Sequence, residues 1–451
     1  MDLSKAFRVR GGESLAFVGA GGKTSLMFAL AKEIGRPVVL TTTTHLGVWQ
    51  AEMAERHHTV TTRDAITAIE FSNAAIHLLT GLAGPDQRLS GLASDLLDFL
   101  FEQCKQLDLP LLIEADGARQ RPLKAPADYE PVIPDWIDRV VVLAGMSGVG
   151  QPLTEASVHR PDTFGAISGK ALGTTIQPED LITVLGSEKG GLQGIPEGAR
   201  RDLFLNQADD ERSSAIGGRI ARQMTSVYDR VMIGSLHQPE PNKVVSSVHA
   251  KTAGIVLAAG GSDRLGSPKQ LLLWQGKPFI RKVVENGLEA GLSPLVVVTG
   301  AFRDDIMAAL NGLSVHWVHN VDWQSGQASS VRAGLLMLSA RCDSAMFLLS
   351  DQPQISAGLI RQLLERYAQN RMPITAPLIE GRRGNPVLFK KETFEALFKV
   401  SGDQGGRAVF SQFPVDWLNW VDRRYTFDVD QKGDEMRINQ AFFIKEKSKP
   451  S

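Results

Sequence analysis

The feature that most constrains the fold is an alternation of short β-rich runs with amphipathic stretches, which occurs twice along the chain. The first series begins with SLAFVG at 14–19 and ends with YDRVMIGSL at 228–236, and the second begins with GIVLAAGG at 254–261. Such alternation is typical of βαβ units, in which helices connect parallel strands. Each series also opens with a strand and a glycine-rich turn. The sequence therefore predicts two α/β domains.

The length of the chain agrees with this division, because 451 residues exceed the usual single domain of about 100–200 residues. We predict two three-layer α/β/α domains with mostly parallel sheets, at 1–237 and 252–443. The segment 238–251 between them carries Pro, Asn, Ser and Lys without sustained periodicity. Such a composition is typical of an interdomain linker.

Composition and charge exclude several classes of protein. The formal net charge is -1, so no basic field exists to attract nucleic acid or an anionic membrane. No apolar run approaches the ~20 residues that span a bilayer, and the first residues lack the apolar segment of an export signal. Cys104 and Cys342 are far apart and lack metal-type spacing, so neither a disulfide framework nor a zinc site is expected. We expect a cytoplasmic protein.

The glycine-rich turn of the second series, Gly260–Gly266, suits a triphosphate. Glycines let backbone N–H groups approach phosphates closely, and Arg264 and Lys269 can neutralise the phosphate charge. A strand that ends in a glycine-rich turn is also a common structural feature. The turn by itself leaves both interpretations open.

Acidic residues follow the later strands of the same half. The apolar run AMFLLS precedes Asp351, which places this carboxylate at the strand edge where open parallel sheets bind ligands. A carboxylate there suits Mg²⁺, which takes oxygen ligands together with substrate phosphates. Asp428 and Asp430 form a second acidic pair near the end of the chain. The alternative for each acid is helix capping or turn formation.

Together these segments resemble the nucleotidyltransferase superfamily and, within it, the molybdenum cofactor cytidylyltransferase (MocA-type) family. Five motifs carry the resemblance in the right order: LAAGGSDRLGSPKQLL, NVDWQSGQASSVRAGL, DQP, GRRGNPVLF and SGDQGGRAV. They cover nearly all of residues 252–432. The resemblance implies that this half is a Rossmann-like nucleotidyltransferase domain.

The resemblance also implies roles for individual residues. The nucleotide would contact Ala258, Ala259, Gly260 and Gly261 at the strand end, Arg264 and Lys269 at its phosphates, and Ser330 at its pyrimidine base. Arg264, Lys269 and Asp351 would be the catalytic residues. Asp351 and Asp430 would bind the metal, although this chain has Asp430-Gln431-Lys432 where relatives usually have Asp-Thr-Pro.

The acceptor end of the site is expected around Gly381–Pro386 and Gly402–Arg407. Arg407 and Asn385 are the candidate contacts, because arginine binds phosphate oxygens in a bidentate manner. Arg382 is equally well explained as a solvated surface residue. Asn385 precedes Pro386 and the apolar run VLF, so it could equally be a plain strand entry.

The implied reaction is transfer of CMP from CTP to the phosphate of molybdopterin or the molybdenum cofactor, with release of pyrophosphate. The acceptor phosphate is already anionic, so catalysis would depend on alignment and on charge neutralisation by Mg²⁺. Three alternatives stay open: a GTP-using enzyme, a sugar-phosphate nucleotidyltransferase, and a cofactor chaperone without turnover.

The first half begins with a P-loop-like turn. SLAFVG leads into Ala20–Ser25, with Gly21, Gly22, Lys23 and Thr24 as candidate phosphate contacts. The strict motif requires glycine where this chain has Phe17, and Gly19 is the candidate substitute. Asp116 ends the run PLLIEAD and is the candidate Mg²⁺-binding acid. The turn predicts binding of ATP or GTP, and the alternative is a glycine-rich helix start with an ordinary lysine.

The run FLNQAD at 204–209 resembles the Asn-Lys-x-Asp segment with which GTPases recognise guanine, with Gln207 in place of lysine. A turn with an Asn–Asp helix cap is the simpler interpretation. Guanine specificity is therefore a hypothesis that the sequence raises without deciding.

The first half resembles the YqeC-type family of accessory proteins for selenium-dependent molybdenum hydroxylases. The resemblance rests on the P-loop-like turn, TTTTHL at 41–46, EADGARQRPLKAPADYEPVIP at 114–134 and VHRP at 158–161. It implies a molybdenum hydroxylase apoenzyme as a partner, besides the nucleotide and the pterin cofactor. A candidate anion site consists of Arg119, Arg121, Lys124, His159 and Arg160, although charged loop residues are usually just solvated and His159 could be structural.

Overall fold

A computed structural model describes residues 1–71, 76–240, 243–261, 268–339, 341–422 and 425. The chain divides into two compact units, Met1–His249 and Ala250–Ser451.

Among the described residues, the first unit contains thirteen strands: nine form one sheet with helices on both faces, and the other four form two separate two-stranded sheets. Its strands are β1 (Ser14–Gly19), β2 (Val38–Thr42), β3 (His45–Gly47), β4 (Arg56–Thr59), β5 (Ile76–Thr80), β6 (Arg88–Ser90), β7 (Leu111–Glu114), β8 (Leu123–Lys124), β9 (Arg139–Gly145), β10 (Val158–His159), β11 (Arg200–Asn206), β12 (Arg230–Gly234) and β13 (Val245–Ala250). Its helices are α1 (Leu3–Phe7), α2 (Lys23–Ile34), α3 (Val48–Ala51), α4 (Arg63–Thr67), α5 (Ser94–Gln106), α6 (Pro161–Ser168), α7 (Pro178–Leu185) and α8 (Glu211–Met224).

The strand order of this sheet is β13-β12-β11-β9-β1-β7-β2-β5-β4. The pairs that connect β12 through to β4 are parallel. Strand β1 therefore lies near the centre, with the carboxyl ends of β7 and β9 on either side of Gly19. The carboxyl ends of parallel strands are where such sheets bind ligands.

Side chains alternate between the two faces of β1, as expected for a strand covered on both sides. Leu15 and Phe17 pack in one core cluster, and Ala16 and Val18 pack in the other. All four are buried. The two clusters lie on opposite sides of the sheet, so the unit has three layers.

Part of the predicted linker 238–251 is a strand of the first unit. Residues 245–250 form β13 beside β12, and the N–H of Val245 donates to the carbonyl of Met1 at 2.9 Å. Val245 and Val248 are buried in the core of this unit. Apolar burial at these two positions outweighs the linker-like composition of the flanking residues.

Among the described residues, the second unit contains ten strands: eight form one sheet and the other two form a separate two-stranded sheet. Its strands are β14 (Thr252–Ala258), β15 (Leu273–Trp274), β16 (Lys277–Pro278), β17 (Leu295–Thr299), β18 (His316–His319), β19 (Ser344–Leu349), β20 (Ile374–Ile379), β21 (Arg382–Arg383), β22 (Val387–Lys390) and β23 (Val415–Trp420). Its helices are α9 (Phe279–Glu289), α10 (Arg303–Ala309), α11 (Gln327–Leu336), α12 (Ala357–Asn370) and α13 (Phe394–Phe398).

The strand order of this sheet is β18-β17-β14-β19-β22-β20-β21, and β23 pairs with β20. Strands β18, β17, β14 and β19 are parallel, whereas β22 runs antiparallel to both of its neighbours. Val256 and Ala258 of β14 face one core cluster, and Ile255 faces the other. The predicted fold class of two three-layer α/β/α units with mostly parallel sheets is therefore confirmed.

The helices were also compared with the length that a bilayer requires. Among the described residues, no helix is both long and apolar enough to cross a membrane.

Candidate functional site

The register of β14 and β19 brings two predicted segments of the second unit to one edge of the sheet. Leu257 lies opposite Leu349, and the N–H of Ser350 donates to the carbonyl of Leu257 at 3.3 Å. The residues that follow the two strands, Ala258–Gly261 and Asp351, therefore emerge side by side. Ala258 and Ala259 are buried, and the backbone turns outward at the exposed Gly260.

Lys269 begins a 3₁₀ turn, Lys269–Leu271, that is tied to the glycine turn. The side-chain amide of Gln270 donates to the carbonyl of Gly260 at 3.2 Å. Lys269 and Asp351 are half-buried, and each interacts with other groups of the protein. Arg264 and Asp430, which the sequence also placed in this site, lie outside the described residues.

Asp351 supplies the oxygen donor that a Mg²⁺ ion prefers. Within the described part of the chain, no three His, Cys, Asp or Glu side chains converge as a metal site. Magnesium commonly binds to one or two carboxylates and completes its shell with substrate phosphates and water. The residues present therefore fit an ion that is held jointly with a triphosphate.

Ser330, the predicted contact of the base, lies on α11 and is 5% exposed. The side-chain amide of Asn320 donates to the hydroxyl oxygens of Ser329 and Ser330, at 2.8 and 3.0 Å. Ser330 thus accepts a hydrogen bond from within the protein. Ser330 is not among the residues that line the cleft described next, and its contact with the base stays a prediction.

A cleft of about 120 Å³ opens beside the ends of β14 and β19. Leu257 and Leu349 line it together with Asn385 and Arg407, the two predicted acceptor residues. Asn385 and Arg407 are therefore brought together, although 22 positions separate them in the chain. The exposed Arg382 is not among the lining residues.

Two further lining residues are Arg383, which lies in the predicted acceptor segment Gly381–Pro386, and Gln327, which was not assigned a role from the sequence. The guanidinium of Arg383 lies 4.5 Å from the centre of the Phe410 ring. Burial, and then the nearby charge of Arg407, lower the pKa of the Arg383 guanidinium. Two mutually repelling cations at one cleft favour an anionic ligand.

The segment 402–409 reaches this cleft because it packs on the start of α11. The N–H of Gln327 donates to a carboxylate oxygen of Asp403 at 3.3 Å, and Arg332 donates to the carbonyl of Val400 at 2.6 Å. Gly326 has φ 106, and a Cβ there would lie 2.5 Å from the carbonyl carbon of Gly402. A glycine is therefore required for the close approach that positions Arg407.

The glycine turn of the first unit is closed by hydrogen bonds to the protein itself. The N–H groups of Gly19, Ala20 and Gly21 donate to an oxygen of Asp116 and to the carbonyls of Leu143 and Arg121, at 3.0, 2.9 and 3.1 Å. A P-loop presents such donors to phosphate instead. The donors left for an anion are those of the first turn of α2, whose N-cap Gly22 provides no side-chain cap. The predicted P-loop stays a prediction.

Lys23 and Asp116 are brought together within a buried ion network. The ammonium of Lys23 lies 2.7 Å from the carbonyl of Gly19 and 3.1 Å from the carboxylate of Asp116. Lys124 lies 2.7 Å from Asp116 and 2.8 Å from Glu130. The side chains of Lys23, Lys124 and Asp116 are at most 4% exposed. These charges pair with one another inside the protein, although Oδ1 of Asp116 has no hydrogen-bond partner among the described residues.

The candidate anion site around Lys124 is only partly supported. Arg160 and Lys124 both pair with Glu130 at 2.8 Å, which the sequence analysis did not anticipate. Burial, and then the charges of Arg160 and Lys124, lower the pKa of His159 to about 4, so this side chain is neutral at pH 7. The structural role that was the alternative for His159 therefore agrees with its surroundings.

Thr24 contacts Glu114 rather than Asp116. Its hydroxyl donates to a carboxylate oxygen of Glu114 at 2.6 Å, and Glu114 is buried at the end of β7. Burial raises the pKa of Glu114 more than the neighbouring Lys23 charge and Thr24 hydroxyl lower it. The sequence feature that indicates Glu114 is its position as the last residue of strand β7, where it lies opposite Phe17 of β1.

Comparison with known proteins assigns each unit to a family. A family model described as "YqeC protein" matches residues 15–162, and one described as "MobA-like NTP transferase domain" matches residues 254–416. "Uncharacterized protein YqeC" of Escherichia coli (strain K12) is 32% identical over 200 residues, which are 43% of this chain and 75% of that protein. The chain belongs to the YqeC family and also carries a MobA-like NTP transferase domain. Both resemblances drawn from the sequence are thereby confirmed at family level.

Relatives of the MobA-like domain carry different functional names. "Nicotine blue oxidoreductase" of Paenarthrobacter nicotinovorans is 33% identical over 187 residues, 39% of this chain and 91% of that protein. "Probable molybdenum cofactor guanylyltransferase" of Bacillus mycoides (strain KBAB4) is 31% identical over 187 residues, 40% of this chain and 89% of that protein. The family is that of nucleotidyltransferases, and the base that this chain uses is a separate question.

Proposed function

We propose that the MobA-like domain transfers CMP from CTP to the terminal phosphate of molybdopterin or the molybdenum cofactor, with release of pyrophosphate. The relative named molybdenum cofactor guanylyltransferase supports the reaction type. The five MocA-type motifs support cytidine as the base and maturation of molybdenum hydroxylases as the setting.

The observation that carries the proposal is the cleft beside β14 and β19. The ends of both strands line this cleft, and they lead directly into Ala258–Gly261 and Asp351. The same cleft exposes the cations Arg383 and Arg407. A triphosphate at the strand ends and a phosphorylated acceptor at the arginines would therefore lie next to each other, as in-line transfer requires.

In the proposed reaction an oxygen of the acceptor phosphate forms a bond with the α-phosphorus of CTP. The bond between the α-phosphorus and the bridging oxygen breaks, and pyrophosphate leaves with the electron pair. Lys269 and Arg264 are proposed to neutralise the triphosphate, and Asn385 and Arg407 to hold the acceptor. No strong base is needed because the attacking phosphate is already anionic.

Asp351 is the proposed ligand of Mg²⁺, with Asp430 as a second proposed ligand. When bound there, the ion would neutralise charge that develops on the triphosphate. The chain's own contribution is to hold the glycine turn, the carboxylate and the arginines in fixed positions.

The test is pyrophosphate release by the full chain, assayed with each of the four NTPs and purified molybdopterin cofactor. We expect release with CTP, dependent on Mg²⁺. Release with GTP alone would replace the cytidylyl assignment with a guanylyl one, and release with a sugar phosphate as acceptor would replace the pterin. No release with any NTP would favour a cofactor chaperone.

Asp351→Ala is expected to lower this turnover by a factor on the order of 10³, because the proposed metal ligand and its charge are lost. Asp304→Asn on the exposed start of α10 is the matched control and should retain activity. Near-normal turnover of Asp351→Ala would remove the metal assignment.

For the YqeC unit we propose an accessory role in which a nucleotide binds with its phosphates at the start of α2. Support comes from the uncapped helix N-terminus at Gly22, with Lys23 and Thr24 in its first turn and Asp116 beside them. Lys23→Ala should weaken binding of ATP or GTP measured by calorimetry. Unchanged affinity in a variant that keeps its melting temperature would contradict this proposal.

A further inference from the structure

Three donors of the YqeC unit converge on one carboxylate. The N–H of Gly19 donates to Oδ2 of Asp116 at 3.0 Å, and the ammonium of Lys124 donates to the same oxygen at 2.7 Å. The ammonium of Lys23, at the start of α2, lies 3.1 Å from Oδ1. Ammonium groups and glycine N–H groups beside a helix start are the donors with which proteins commonly bind phosphate. Asp116 therefore occupies a position that suits an oxyanion.

The carboxylate of Asp116 satisfies these donors only in part. Its Oδ1 accepts no hydrogen bond from the described residues, although the Asp116 side chain is 3% exposed. A buried acceptor without a hydrogen bond is a costly arrangement. A phosphate dianion carries more charge and more acceptor oxygens than a carboxylate. It would therefore match two buried ammonium groups more completely than Asp116 does.

The residues that follow Asp116 are hydrogen-bonded to the same glycine turn. The carbonyl of Arg121 accepts from the N–H of Gly21 at 3.1 Å, and the carbonyl of Gly117 accepts from the ammonium of Lys124 at 2.6 Å. Residues 116–121 form neither helix nor strand. Irregular segments open at a lower free energy than the strands of a sheet. This segment can therefore move while β1 and β7 stay paired.

The space beside Asp116 is too small for a phosphate in the conformation that the structure shows. Gly19, Asp116 and Lys124 lie along a cavity of about 30 Å³. One buried water needs about 10–15 Å³ of such space, so the cavity has room for about two water molecules. A phosphate would reach the three donors only if the carboxylate moved away.

We propose that Lys23, Lys124 and the N–H of Gly19 form a phosphate site that Asp116 occupies, and that a nucleotide phosphate displaces this carboxylate by moving residues 116–121. Asp116 is then an internal competitor, which weakens the apparent affinity according to the fraction of molecules whose site is closed. Two ammonium groups within 3.1 Å also make this carboxylate an unfavourable ligand for Mg²⁺, because like charges repel. The inference rests on the nucleotide binding proposed for the YqeC unit and adds how that site opens.

Binding of ADP and GDP to the full chain, measured by calorimetry in EDTA, tests this competition. Diphosphates are not donors for the transfer proposed for the other domain, and Lys23→Ala identifies the heat that comes from the YqeC unit. Asp116→Asn keeps the size of the side chain and removes the charge that holds the two lysines. We expect this variant to bind ADP or GDP at least about tenfold more tightly than the parent protein. Asp128→Asn, which changes an exposed acid of the same unit, is the matched control and should leave both affinities unchanged.

Hydrogen exchange in the parent protein is a second test, which does not depend on the stability of Asp116→Asn. Saturating ADP or GDP should speed exchange in peptides that cover 116–121 and slow exchange at the start of α2. A carboxylate that held a metal ion or only stabilised the fold would keep its segment closed. Exchange at 116–121 would then be unchanged or slower.

The outcomes separate this inference from the nucleotide binding on which it rests. Suppose that Lys23→Ala weakens binding but Asp116→Asn does not strengthen it, or that exchange at 116–121 does not become faster. Either result would overturn the displacement of Asp116 and leave nucleotide binding in place. Binding by Asp116→Asn alone would support displacement. Failure of both the parent protein and Asp116→Asn to bind either diphosphate would overturn both proposals.

Discussion

The two units begin alike, with a central strand that runs into a glycine-containing turn, but they satisfy the polar groups at that turn differently. In the YqeC unit, the turn donates to the protein's own carbonyls and Asp116 is buried between two lysines. In the NTP transferase unit, Gly260 is exposed and Asp351 is half-buried at an open edge. The first arrangement is closed by internal ion pairs, and the second lies beside a cleft that Arg383 and Arg407 line.

This difference means that the phosphate site proposed for the YqeC unit depends on the first turn of α2, because the N–H groups of the glycine turn itself are occupied. What separates the two units is whether the surrounding cations already have carboxylates. Lys124 has both Asp116 and Glu130, whereas Arg383 and Arg407 line one cleft together. Substitutions at these charged residues should therefore mainly lower stability in the first unit and mainly lower turnover in the second.

Asp116→Ala gives the largest expected effect on stability. Removing this carboxylate leaves Lys23 and Lys124 buried with less compensation, so the free energy of unfolding of the YqeC unit should fall by about 3–5 kcal/mol. Urea unfolding of the full chain, with hydrogen exchange in peptides of β1 and β7 to assign the transition, measures this loss.

Asp351→Ala in the same experiment sharpens the contrast. Because this acid is half-exposed at the sheet edge, its loss should cost about 1 kcal/mol or less in the NTP transferase unit. Equal losses in the two units would contradict the distinction between a closed and an open turn.

Arg407→Ala should give the next largest effect, on turnover rather than on stability. Losing charge-assisted hydrogen bonds to a phosphate should lower kcat/KM for the acceptor by about 10²-fold. Arg382→Ala is the control, since Arg382 is exposed and does not line the cleft. Similar losses in both variants would mean that general positive charge, and not the cleft, attracts the acceptor.

The sequence predicted the strands because each one is a local run of apolar residues. It predicted both families because their motifs are contiguous segments of the chain. Side chains of β1 and β14 alternate between two core clusters, as expected for apolar runs that are covered on both faces. It could not predict that Lys124 pairs with Asp116, because that contact depends on an irregular segment in which Arg119 and Gln120 both have positive φ. Non-local contacts made by loops leave no periodic signal.

The same limit applied to the acceptor cleft. Arg407 and Asn385 were named from motifs, and their meeting depends on the packing of 402–409 against α11. Gln327 lines the cleft directly after Gly326, which adopts φ 106 at the start of that helix. The glycine was visible in the sequence, but its geometric purpose was not.

The pH dependence of stability tests the closed site more finely. Burial raises the folded-state pKa of Glu114 above its unfolded value of 4.5. At a pH between the unfolded and the folded pKa, Glu114 holds a proton in the folded state that it has released in the unfolded state. The contribution of Glu114 to the free energy of unfolding is therefore complete below pH 4.5 and is lost as the pH rises through the folded pKa. Glu114→Gln should remove the slope, which is at most about 1.4 kcal/mol per pH unit for one proton.

The comparison must be made between the variant and the parent protein. The pKa of Glu130 is lowered by its pairing with Arg160 and Lys124, so Glu130 contributes the opposite slope, with stability lost as the pH falls. Subtracting the two urea-unfolding profiles isolates Glu114. Identical profiles would show that Glu114 titrates as an ordinary exposed carboxyl group.

Ser330→Ala should give the smallest effect, and it tests whether the open site recognises the base through this hydroxyl. One hydrogen bond is worth about 0.5–1.5 kcal/mol, so the preference for CTP over the other NTPs should fall by about tenfold or less. The measurement is kcat/KM for each NTP in the pyrophosphate-release assay.

Ser329→Ala is the matched control for this last variant. Ser329 also accepts from Asn320, but its hydroxyl lies within donating distance of the carbonyls of Asp322 and Gly326, at 3.0 and 2.8 Å, so it has no hydrogen left for a base. Its loss should cost stability without changing the order of the NTPs. If both variants reduced the preference for CTP equally, the effect would pass through Asn320. If neither did, Ser330 would be confined to holding Asn320 in place, and base selection would have to come from the strand-end contacts around Ala259.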